Sequence, residues 1–298
     1  MSQIFKAGFV NLIGRPNVGK STLMNALMGE KLSITTPKAQ TTRHRIGGIL
    51  NADDYQIVFS DTPGIIKPAY ELQKAMMHFV YEALEDADII LYITDQPEPN
   101  PNKQELLIWE AIGKSTTPVL VILNKIDLIG QEKAISGCKF WNQQLKTEHV
   151  IPVSALHQAN TGAVLEKILD LLPEHPPFFP VDEISDKNER FFAAEIIREK
   201  IFLNYQQEIP YSAEVVIMDF KEEDAIIKIQ SEIYVERTTQ KGILIGKGGE
   251  SIKKVGIEAR KDLEKFFNKK VFLEQYVRVE PDWRKKLNKL SRFGYRSS

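Results

Sequence analysis

The chain has 298 residues, of which 43% are hydrophobic and 27% are charged, and its formal net charge is −1 at pH 7. These values are those of an ordinary globular protein, and the length is enough for two domains. No stretch approaches the ~20 consecutive apolar residues of a membrane span. The first six residues lack a charged segment followed by an apolar one, so we expect no secretory signal. The one cysteine, Cys138, cannot form an internal disulfide, which is compatible with a reducing cytoplasm.

Charge is distributed unevenly along the chain. Residues 1–180 carry 16 basic and 19 acidic side chains, residues 181–240 carry 7 and 14, and residues 241–298 carry 16 and 7. The basic final segment indicates either a polyanionic partner, such as RNA or an anionic membrane surface, or a solvated helical face. Charge alone does not separate these readings.

Short apolar runs alternate with helical patterns in the first half of the chain. The predicted strands are residues 7–13, 57–60, 87–94 and 119–123. Strands that alternate with helices indicate an α/β fold, with a mostly parallel sheet and helices on both faces.

A phosphate-binding loop follows the first predicted strand. Residues 14–21 read G-R-P-N-V-G-K-S and match G-x-x-x-x-G-K-[ST] between a strand and a helix. Its glycines let backbone amides surround phosphate oxygens at the positive end of a helix. We expect Lys20 to contact the β- and γ-phosphates and the Ser21 hydroxyl to ligate magnesium. The predicted nucleotide-binding residues here are Gly14, Arg15, Pro16, Asn17, Val18, Gly19, Lys20, Ser21 and Thr22.

The base is specified by residues 124–127, N-K-I-D, which follow another predicted strand. A carboxylate at Asp127 can accept hydrogen bonds from guanine N1–H and the 2-amino group, whereas adenine offers no such pair of donors. We expect Asn124 to contact the base edge and the Lys125 stem to cover the ring. A backbone amide of the segment Ser154–Ala155–Leu156 would meet the guanine oxygen.

Residues 61–64, D-T-P-G, stand at the end of a predicted strand. We expect Asp61 to hold magnesium, through water, and the Gly64 amide to sense the γ-phosphate. One threonine of the polar segment 37–45 would complete the magnesium ligands, and we favour Thr42 over Thr41. The predicted metal ligands are therefore Ser21, Thr42 and Asp61, and the predicted catalytic residues are Lys20, Thr42 and Gly64.

These motifs, in this order, resemble the translation-factor-like small GTPases, and the Era and MnmE group most closely, over residues 7–172. Ile65 stands where Ras-type members carry the glutamine that orients the attacking water, so slow intrinsic hydrolysis is expected. Asn17 matches the asparagine that coordinates potassium in some relatives, and the resemblance therefore implies K⁺ as a second ion. A tRNA-modifying enzyme like MnmE would need a folate-binding domain and a C-terminal cysteine motif, which are absent from the sequence.

Four prolines between residues 173 and 180 predict a stiff connector. We therefore expect a GTP-binding domain at 1–173, a linker at 174–188 and a second domain at 189–298. The second domain begins with a helical pattern at 190–207, with an expected apolar face of Phe191, Ala194, Ile197, Ile201 and Leu203. Its predicted order is α-β-β-α-α-β, which is that of an α+β domain.

The sequence G-K-G-G at residues 246–249 joins two helical segments of this domain. A G-x-x-G turn lets an RNA backbone approach two helix ends without obstruction by side chains, and this domain resembles a type II KH domain. A plain helix–turn–helix joint is the alternative reading. The predicted RNA-binding residues are Ile243, Ile245, Gly246, Lys247, Gly248, Gly249, Ile252 and Lys253.

A GTPase followed by one KH domain resembles the bacterial Era family across nearly the whole chain. The resemblance implies that the partner is the 3′ end of small-subunit ribosomal RNA in the 30S subunit, and that the role is maturation of that subunit. The alternative is a regulatory GTPase whose second domain binds protein or membrane. We expect a cytoplasmic monomer that uses GTP, GDP and Mg²⁺.

The basic, aromatic segment from Trp283 to Tyr295 suits RNA phosphates or the inner face of the cell membrane. It is also compatible with Trp283 and Leu287 packing on the domain. We favour packing for its aromatic side chains and RNA contact for some of its lysines.

Overall fold

The computed structural model describes residues 5–295. The first four residues, which belong to the segment that carries the expectation of no secretory signal, lie outside the described residues. Apart from residues 70–75, which group with the second unit, the chain forms two compact units that divide between Asp186 and Lys187. None of the helices within residues 5–295 has the length and apolar character that crossing a membrane requires.

The first unit is a six-stranded sheet with helices. Its strands are β1 (Lys6–Gly14), β2 (Ile46–Asn51), β3 (Tyr55–Asp61), β4 (Ile89–Thr94), β5 (Val119–Leu123) and β6 (Val150–Pro152). Its helices are α1 (Lys20–Met28), α2 (Glu71–Glu85), α3 (Lys103–Lys114), α4 (Gln131–Leu145) and α5 (Thr161–Leu171). The strand order is β2-β3-β1-β4-β5-β6, with β2 antiparallel to β3 and all other pairs parallel. The predicted α/β fold with a mostly parallel sheet is confirmed.

Strand β2 was missed by the sequence analysis. Its sequence, I-G-G-I-L-N, contains two glycines, which weaken a strand and obscure its pattern. It forms because all six of its residues pair with β3. Tertiary pairing thus overrides a weak local preference.

The parallel strands end at one edge of the sheet and thereby assemble the predicted site. β1 ends at Gly14, β3 at Asp61 and β5 at Leu123, so the three sequence motifs stand at the carboxyl ends of parallel strands in one sheet. Ligands of open α/β sheets bind at this edge. Below it, Trp109 and Trp141 pack with Tyr92 in the core.

The proline-rich segment runs beside β2 and is hydrogen-bonded to it. The Ile49 amide donates to the Ile184 carbonyl at 2.9 Å, and the Gly47 amide donates to Asp186 Oδ1 at 2.7 Å. Because an edge strand carries unpaired backbone groups, a covering segment satisfies them and hides the edge. Residues up to Asp186 therefore group with the first unit.

The second unit packs helices on a three-stranded sheet. Its strands are β7 (Glu214–Glu222), β8 (Ile226–Val235) and β9 (Lys270–Val279). Its helices are α6 (Glu189–Asn204), α7 (Ile209–Ser212), α8 (Thr238–Ile245), α9 (Glu250–Phe266) and α10 (Leu287–Arg292). β8 lies in the centre, antiparallel to β7 and parallel to β9. The predicted order is found with two short additional helices, α7 and α10.

The predicted apolar face of α6 is wrong in part. Leu203 is 46% exposed, and Phe191 and Ala194 are only partly buried. The buried apolar side chains are Phe192, Ala193, Ile196, Ile197, Ile201 and Phe202. The charged residues Glu195, Arg198 and Glu199 are buried as well. A helix buried around most of its circumference has no single apolar stripe for a periodicity to reveal.

The C-terminal aromatic side chains pack on the second unit, as predicted. Trp283 Nε1 donates to the Ser212 carbonyl at 2.9 Å, and the Tyr295 hydroxyl donates to Glu214 Oε2 at 2.9 Å. Leu287, which the alternative reading also packed on the domain, is 51% exposed, and Leu290 is buried instead.

Candidate nucleotide and RNA sites

Three positions of the first unit require glycine, two because another part of the backbone lies close and one because of its backbone conformation. A Cβ at Gly14 would lie 2.1 Å from the Ile93 carbonyl oxygen, and one at Gly64 would lie 2.5 Å from the Pro16 nitrogen. Gly19, which precedes α1, has φ +97°, a left-handed conformation that favours glycine. The loop therefore keeps its amides free of side chains at the start of α1.

The loop borders a cleft of about 510 Å³. Of the predicted nucleotide-binding residues, its walls contain Pro16, Asn17, Gly19, Lys20, Ser21, Thr22, Thr42, Gly64, Asn124, Lys125, Asp127 and Ser154. The predicted residues outside its walls are Gly14, Arg15, Val18, Asp61 and Ala155. Wall residues that the sequence analysis did not single out are Ile34, Thr35, Thr36 and Leu128. The first three come from a loop with no motif of its own, and Leu128 directly follows the N-K-I-D segment without belonging to its pattern.

Lys20 is buried beneath the loop. Its Nζ donates to the Arg15 carbonyl at 3.0 Å and to the Gly14 carbonyl at 3.3 Å. Burial lowers the pKa of Lys20 to about 8, although the Asp61 carboxylate acts in the opposite direction. A desolvated ammonium of this kind interacts strongly with any anion that enters the cleft, because its charge is poorly screened.

The three predicted magnesium ligands lie together. The Ser21 hydroxyl donates to Asp61 Oδ2 at 2.6 Å and lies 2.9 Å from Thr42 Oγ1, which itself donates to Asp61 Oδ2 at 3.2 Å. Burial raises the pKa of Asp61, and its second oxygen, Oδ1, has no hydrogen-bond partner among residues 5–295. A cluster of hard oxygen donors with an unsatisfied buried carboxylate oxygen fits a magnesium ion.

Thr41 differs from Thr42 in its partners. Its hydroxyl donates to the Lys38 carbonyl at 2.7 Å and lies 2.6 Å from Thr36 Oγ1. Thr41 is thus used within its own loop. Thr42 is the threonine that this arrangement brings to Ser21 and Asp61.

The Arg15 guanidinium is directed away from the cleft. It forms a two-point ion pair with Glu105 at the start of α3, and its Nη1 donates to Gln96 Oε1 at 2.7 Å. The hydrogen bond to Glu105 raises the pKa of Arg15. Arg15 therefore fastens the loop to α3, and only its backbone is available for phosphate.

The Asn124 side chain lines the cleft, and each end of its amide forms one hydrogen bond within the protein, which leaves a second N–H and a second lone pair for the base edge. Its Nδ2 donates to the Val18 carbonyl at 2.8 Å, and its Oδ1 accepts from the Ala155 amide at 2.9 Å. The Ser154 amide donates to the Ala159 carbonyl at 3.1 Å. Asn124 therefore ties the phosphate loop to the 154–156 segment. The Ser154 and Ala155 amides are thus hydrogen-bonded within the described residues, and the Leu156 amide is the one of this segment that remains to meet a guanine oxygen.

Asp127 faces the cleft with one oxygen already oriented. The Ser154 hydroxyl donates to Asp127 Oδ1 at 2.5 Å, and this hydrogen bond lowers the pKa of the carboxyl group. The group is therefore an ionised acceptor at neutral pH. Lys125 lies beside it, with Nζ bonded to the Asn17 carbonyl at 2.6 Å and to Asp95 Oδ2 at 2.7 Å, so its stem crosses the cleft.

Ile65 belongs to the hydrophobic core. Its side chain is 2% exposed and packs with Met77 and Val80, while its amide donates to the Gly14 carbonyl at 3.0 Å. This position thus lacks a polar group, and its side chain also points into the protein interior.

The G-x-x-G turn of the second unit is open. A Cβ added at Gly248 (φ +61°) or Gly249 (φ +82°) would have no heavy atom within 4 Å, whereas a Cβ at Gly246 would meet Ser251 Oγ at 2.2 Å. Lys247 is exposed at the turn, between α8 and α9. The turn offers a bare backbone beside a lysine, which suits a phosphate chain.

A groove of about 430 Å³ runs from this turn between α9 and β9. Of the predicted RNA-binding residues, Ile252 and Lys253 line it. Ile245 packs against the core instead, and Ile243 is 52% exposed. Lining residues that the sequence analysis missed are Gly256, Ile257, Arg260, Val271, Phe272, Leu273 and Gln275. The alternation of β9 could have indicated some of them, but not the helix they face.

Comparison with known proteins gives matches in both units. A family model described as 50S ribosome-binding GTPase matches residues 9–125, and a KH-domain model matches residues 208–284. GTPase Era of Geotalea daltonii is 44% identical over 98% of this chain and 99% of the relative. GTPase Era of Syntrophus aciditrophicus is 46% identical over 99% of this chain and 96% of the relative.

Solved structures agree over the full fold. A crystal structure of Era in complex with MgGDPNP and nucleotides 1506–1542 of 16S ribosomal RNA has a TM-score of 0.93 and 39% identity, and covers 98% of this chain and all of that one. A variant of Aquifex aeolicus Era bound to GDP and AlF₄⁻ has a TM-score of 0.93 and 40% identity over the same shares. With identity at this level in both units, the chain belongs to the Era family of GTPases.

Proposed function

We propose that this GTPase binds the 3′ end of small-subunit ribosomal RNA through its KH domain and acts in maturation of the 30S subunit. The open G-x-x-G turn, with Lys247 beside two glycines free of neighbours, is the observation that carries this proposal. The RNA complex of a 39% identical Era supports the identity of the RNA. The proposed parts are a GTP-binding domain at 1–173, a linker at 174–188 and the RNA-binding domain at 189–298.

At the nucleotide, we assign phosphate binding to the 14–22 loop and base recognition to Asp127. Ser21, Thr42 and Asp61 would hold Mg²⁺, which supplies charge neutralisation on the β- and γ-phosphates when bound. The buried Lys20 would add a second cation there. The MgGDPNP complex of the similar Era structure supports this assignment.

We infer that intrinsic hydrolysis is slow, since no glutamine follows Gly64 and Ile65 is directed into the core. Replacing Ile65 with glutamine is expected not to increase the single-turnover rate of GTP hydrolysis. It should lower the free energy of unfolding by about 1–3 kcal/mol, because an amide would be buried among apolar side chains. Denaturant unfolding and single-turnover hydrolysis measure both, with Ile65→Leu as the volume-conserving control. A faster rate in the glutamine variant would contradict the inference.

Potassium is proposed as the ion that compensates for the missing glutamine. Asn17 lines the cleft and is held there by a hydrogen bond from Nδ2 to the Pro37 carbonyl at 3.0 Å. Hydrolysis in potassium chloride is expected to be about tenfold faster than in sodium chloride of equal ionic strength, equivalent to about 1.4 kcal/mol of barrier. Asn17→Ala should abolish the difference. Equal wild-type rates in the two salts would refute a role for potassium.

The RNA assignment is tested by crosslinking full-length protein to RNA in cells and sequencing what is recovered. The double variant Lys247→Asp with Gly248→Asp is expected to lose most of the crosslinked RNA, because two carboxylates would face the phosphate chain. Aspartate tolerates the left-handed conformation at position 248, and its Cβ meets no atom there, so the fold should persist. Lys221→Asp, on the exposed side of β7, is the matched control. Equal yields from the turn variant and the control would argue against the turn.

The alternative is a regulatory GTPase whose second domain binds protein or membrane. Burial of Trp283, Phe293 and Tyr295 removes the aromatic side chains that would have entered a bilayer interface. We therefore propose action in the cytoplasm, as a monomer, with the exposed lysines of the C-terminal segment directed to RNA. Recovery of lipid or protein instead of RNA in the crosslinking experiment would favour the alternative.

A further inference from the structure

One pair of polar residues interrupts the interior side of the KH sheet. Ser231 of β8 and Gln275 of β9 are partners in the strand register. Their neighbours on the same side are Ile229, Ile233, Leu273 and Val277. The Ser231 hydroxyl donates to the Glu274 carbonyl at 3.1 Å and is thus satisfied. Gln275 is the polar group of this pair that requires an explanation.

The Gln275 amide is incompletely hydrogen-bonded. Its Nε2 is shielded from solvent and has no hydrogen-bond partner among residues 5–295. A buried amide that forgoes a hydrogen bond destabilises the fold, so its presence calls for an explanation. A leucine at this position would continue the apolar row without that cost.

A glycine on the facing helix makes room for this amide. Gly256 lies inside α9, and a Cβ at this position would come within 2.7 Å of Gln275 Oε1. Glycine destabilises a helix interior relative to alanine. Two locally unfavourable residues, on different elements, therefore meet at one point.

That point lies in the wall of the α9–β9 groove. Gly256 and Gln275 both line it, together with the apolar residues Ile257 and Leu273 and the basic residue Arg260. The groove thus offers an apolar wall, a cation and one carboxamide.

We propose that Gln275 reads one base of the bound RNA by hydrogen bonding, and that Gly256 provides the space in which its amide turns. This inference rests on the proposed RNA-binding function. A carboxamide presents a donor and an acceptor side by side, which matches the amino group and ring nitrogen of adenine. Its terminal torsion is broad, so the amide can turn its nitrogen toward a base in the groove.

The test compares base preference rather than affinity alone. Full-length wild type and Gln275→Leu, each with GTP, bind a pool of short single-stranded RNA of random sequence, and the bound RNA is sequenced. Wild type is expected to prefer adenine at one position by about tenfold to a hundredfold. Gln275→Leu should lose the preference there and keep it elsewhere, and its midpoint of thermal unfolding should be no lower than that of wild type.

Gly256→Ala provides an independent arm. Alanine favours the helix but displaces the amide, so this variant should keep its thermal stability and lose the same base preference. Gly113→Ala, inside α3 with nothing within 4 Å of its Cβ, is the matched control and should keep the preference.

Two results would overturn the inference while leaving RNA binding in place. One is that wild type and Gln275→Leu select the same bases at every position of the bound RNA. The other is a fall in the unfolding midpoint of Gln275→Leu, which would make the amide a structural group. If wild type binds no RNA from the pool, both the inference and the proposed function are refuted.

Discussion

Replacing Asp127 with asparagine is expected to lower the affinity for GTP by a hundredfold or more. A loss of this size follows when a binding site built to hydrogen-bond a ligand no longer matches the donors of that ligand. The same variant should gain affinity for xanthosine triphosphate. An asparagine amide can donate to the C2 carbonyl of xanthine and accept from its N1–H. In wild type, the Ser154 hydroxyl orients the carboxylate through Oδ1 and keeps it ionised by lowering its pKa.

Asp95→Asn is the matched control for this exchange. Asp95 carries the same group and pairs with Lys125 rather than with the base. Its loss should weaken both nucleotides alike, because the Lys125 stem covers either base. Calorimetric titration of both nucleotides into both variants gives the ratio of affinities. An unchanged ratio in the Asp127 variant would exclude this residue as the reader of the base.

Removing the Thr42 hydroxyl with Thr42→Val is expected to slow single-turnover hydrolysis about a hundredfold and to raise the magnesium concentration needed for half-maximal rate. Thr42 Oγ1 lies 2.9 Å from Ser21 Oγ and 3.2 Å from Asp61 Oδ2, in the cluster of oxygen donors proposed to hold the ion. The isosteric exchange removes an oxygen donor and changes little else.

The neighbouring threonine supplies the comparison. Thr41→Val should have a much smaller effect, because the Thr41 hydroxyl bonds Lys38 and Thr36 rather than the cluster. Thr42→Ser restores the hydroxyl and should restore most of the rate. If Thr41→Val proves the slower of the two valine variants, the assignment of Thr42 is wrong.

The chemistry of the nucleotide site is readable from sequence because each motif is contiguous. The phosphate loop, the D-T-P-G segment and the N-K-I-D segment each follow a buried strand, and parallel strands deliver their ends to one edge of a sheet. The same holds for the G-x-x-G turn, whose glycines and lysine are adjacent in the chain. Local spacing is enough for these features, and the comparisons support the family that they indicate.

What depends on distant partners was misplaced or missed. The hydrogen bonds that the Asn124 amide forms with Val18 and Ala155 have no signal in the local sequence. The face of α6 was misplaced because this helix is buried on several sides. The groove beside Gln275 forms only when folding brings β9 against α9, and the sequence of either element alone does not indicate it.

The sequence by itself determined the two-domain organisation, the guanine nucleotide and the KH turn, because these follow from short runs of residues whose chemistry is local. Only the tertiary structure gives the contacts that separate Thr42, which was favoured from the sequence, from Thr41, since both are threonines of one polar loop and differ in what the fold brings beside them. It also decided that Ile65 is a core residue and that Gln275 faces a glycine across the groove. Burial and cross-element contact are properties of the packed chain, and a linear pattern does not contain them.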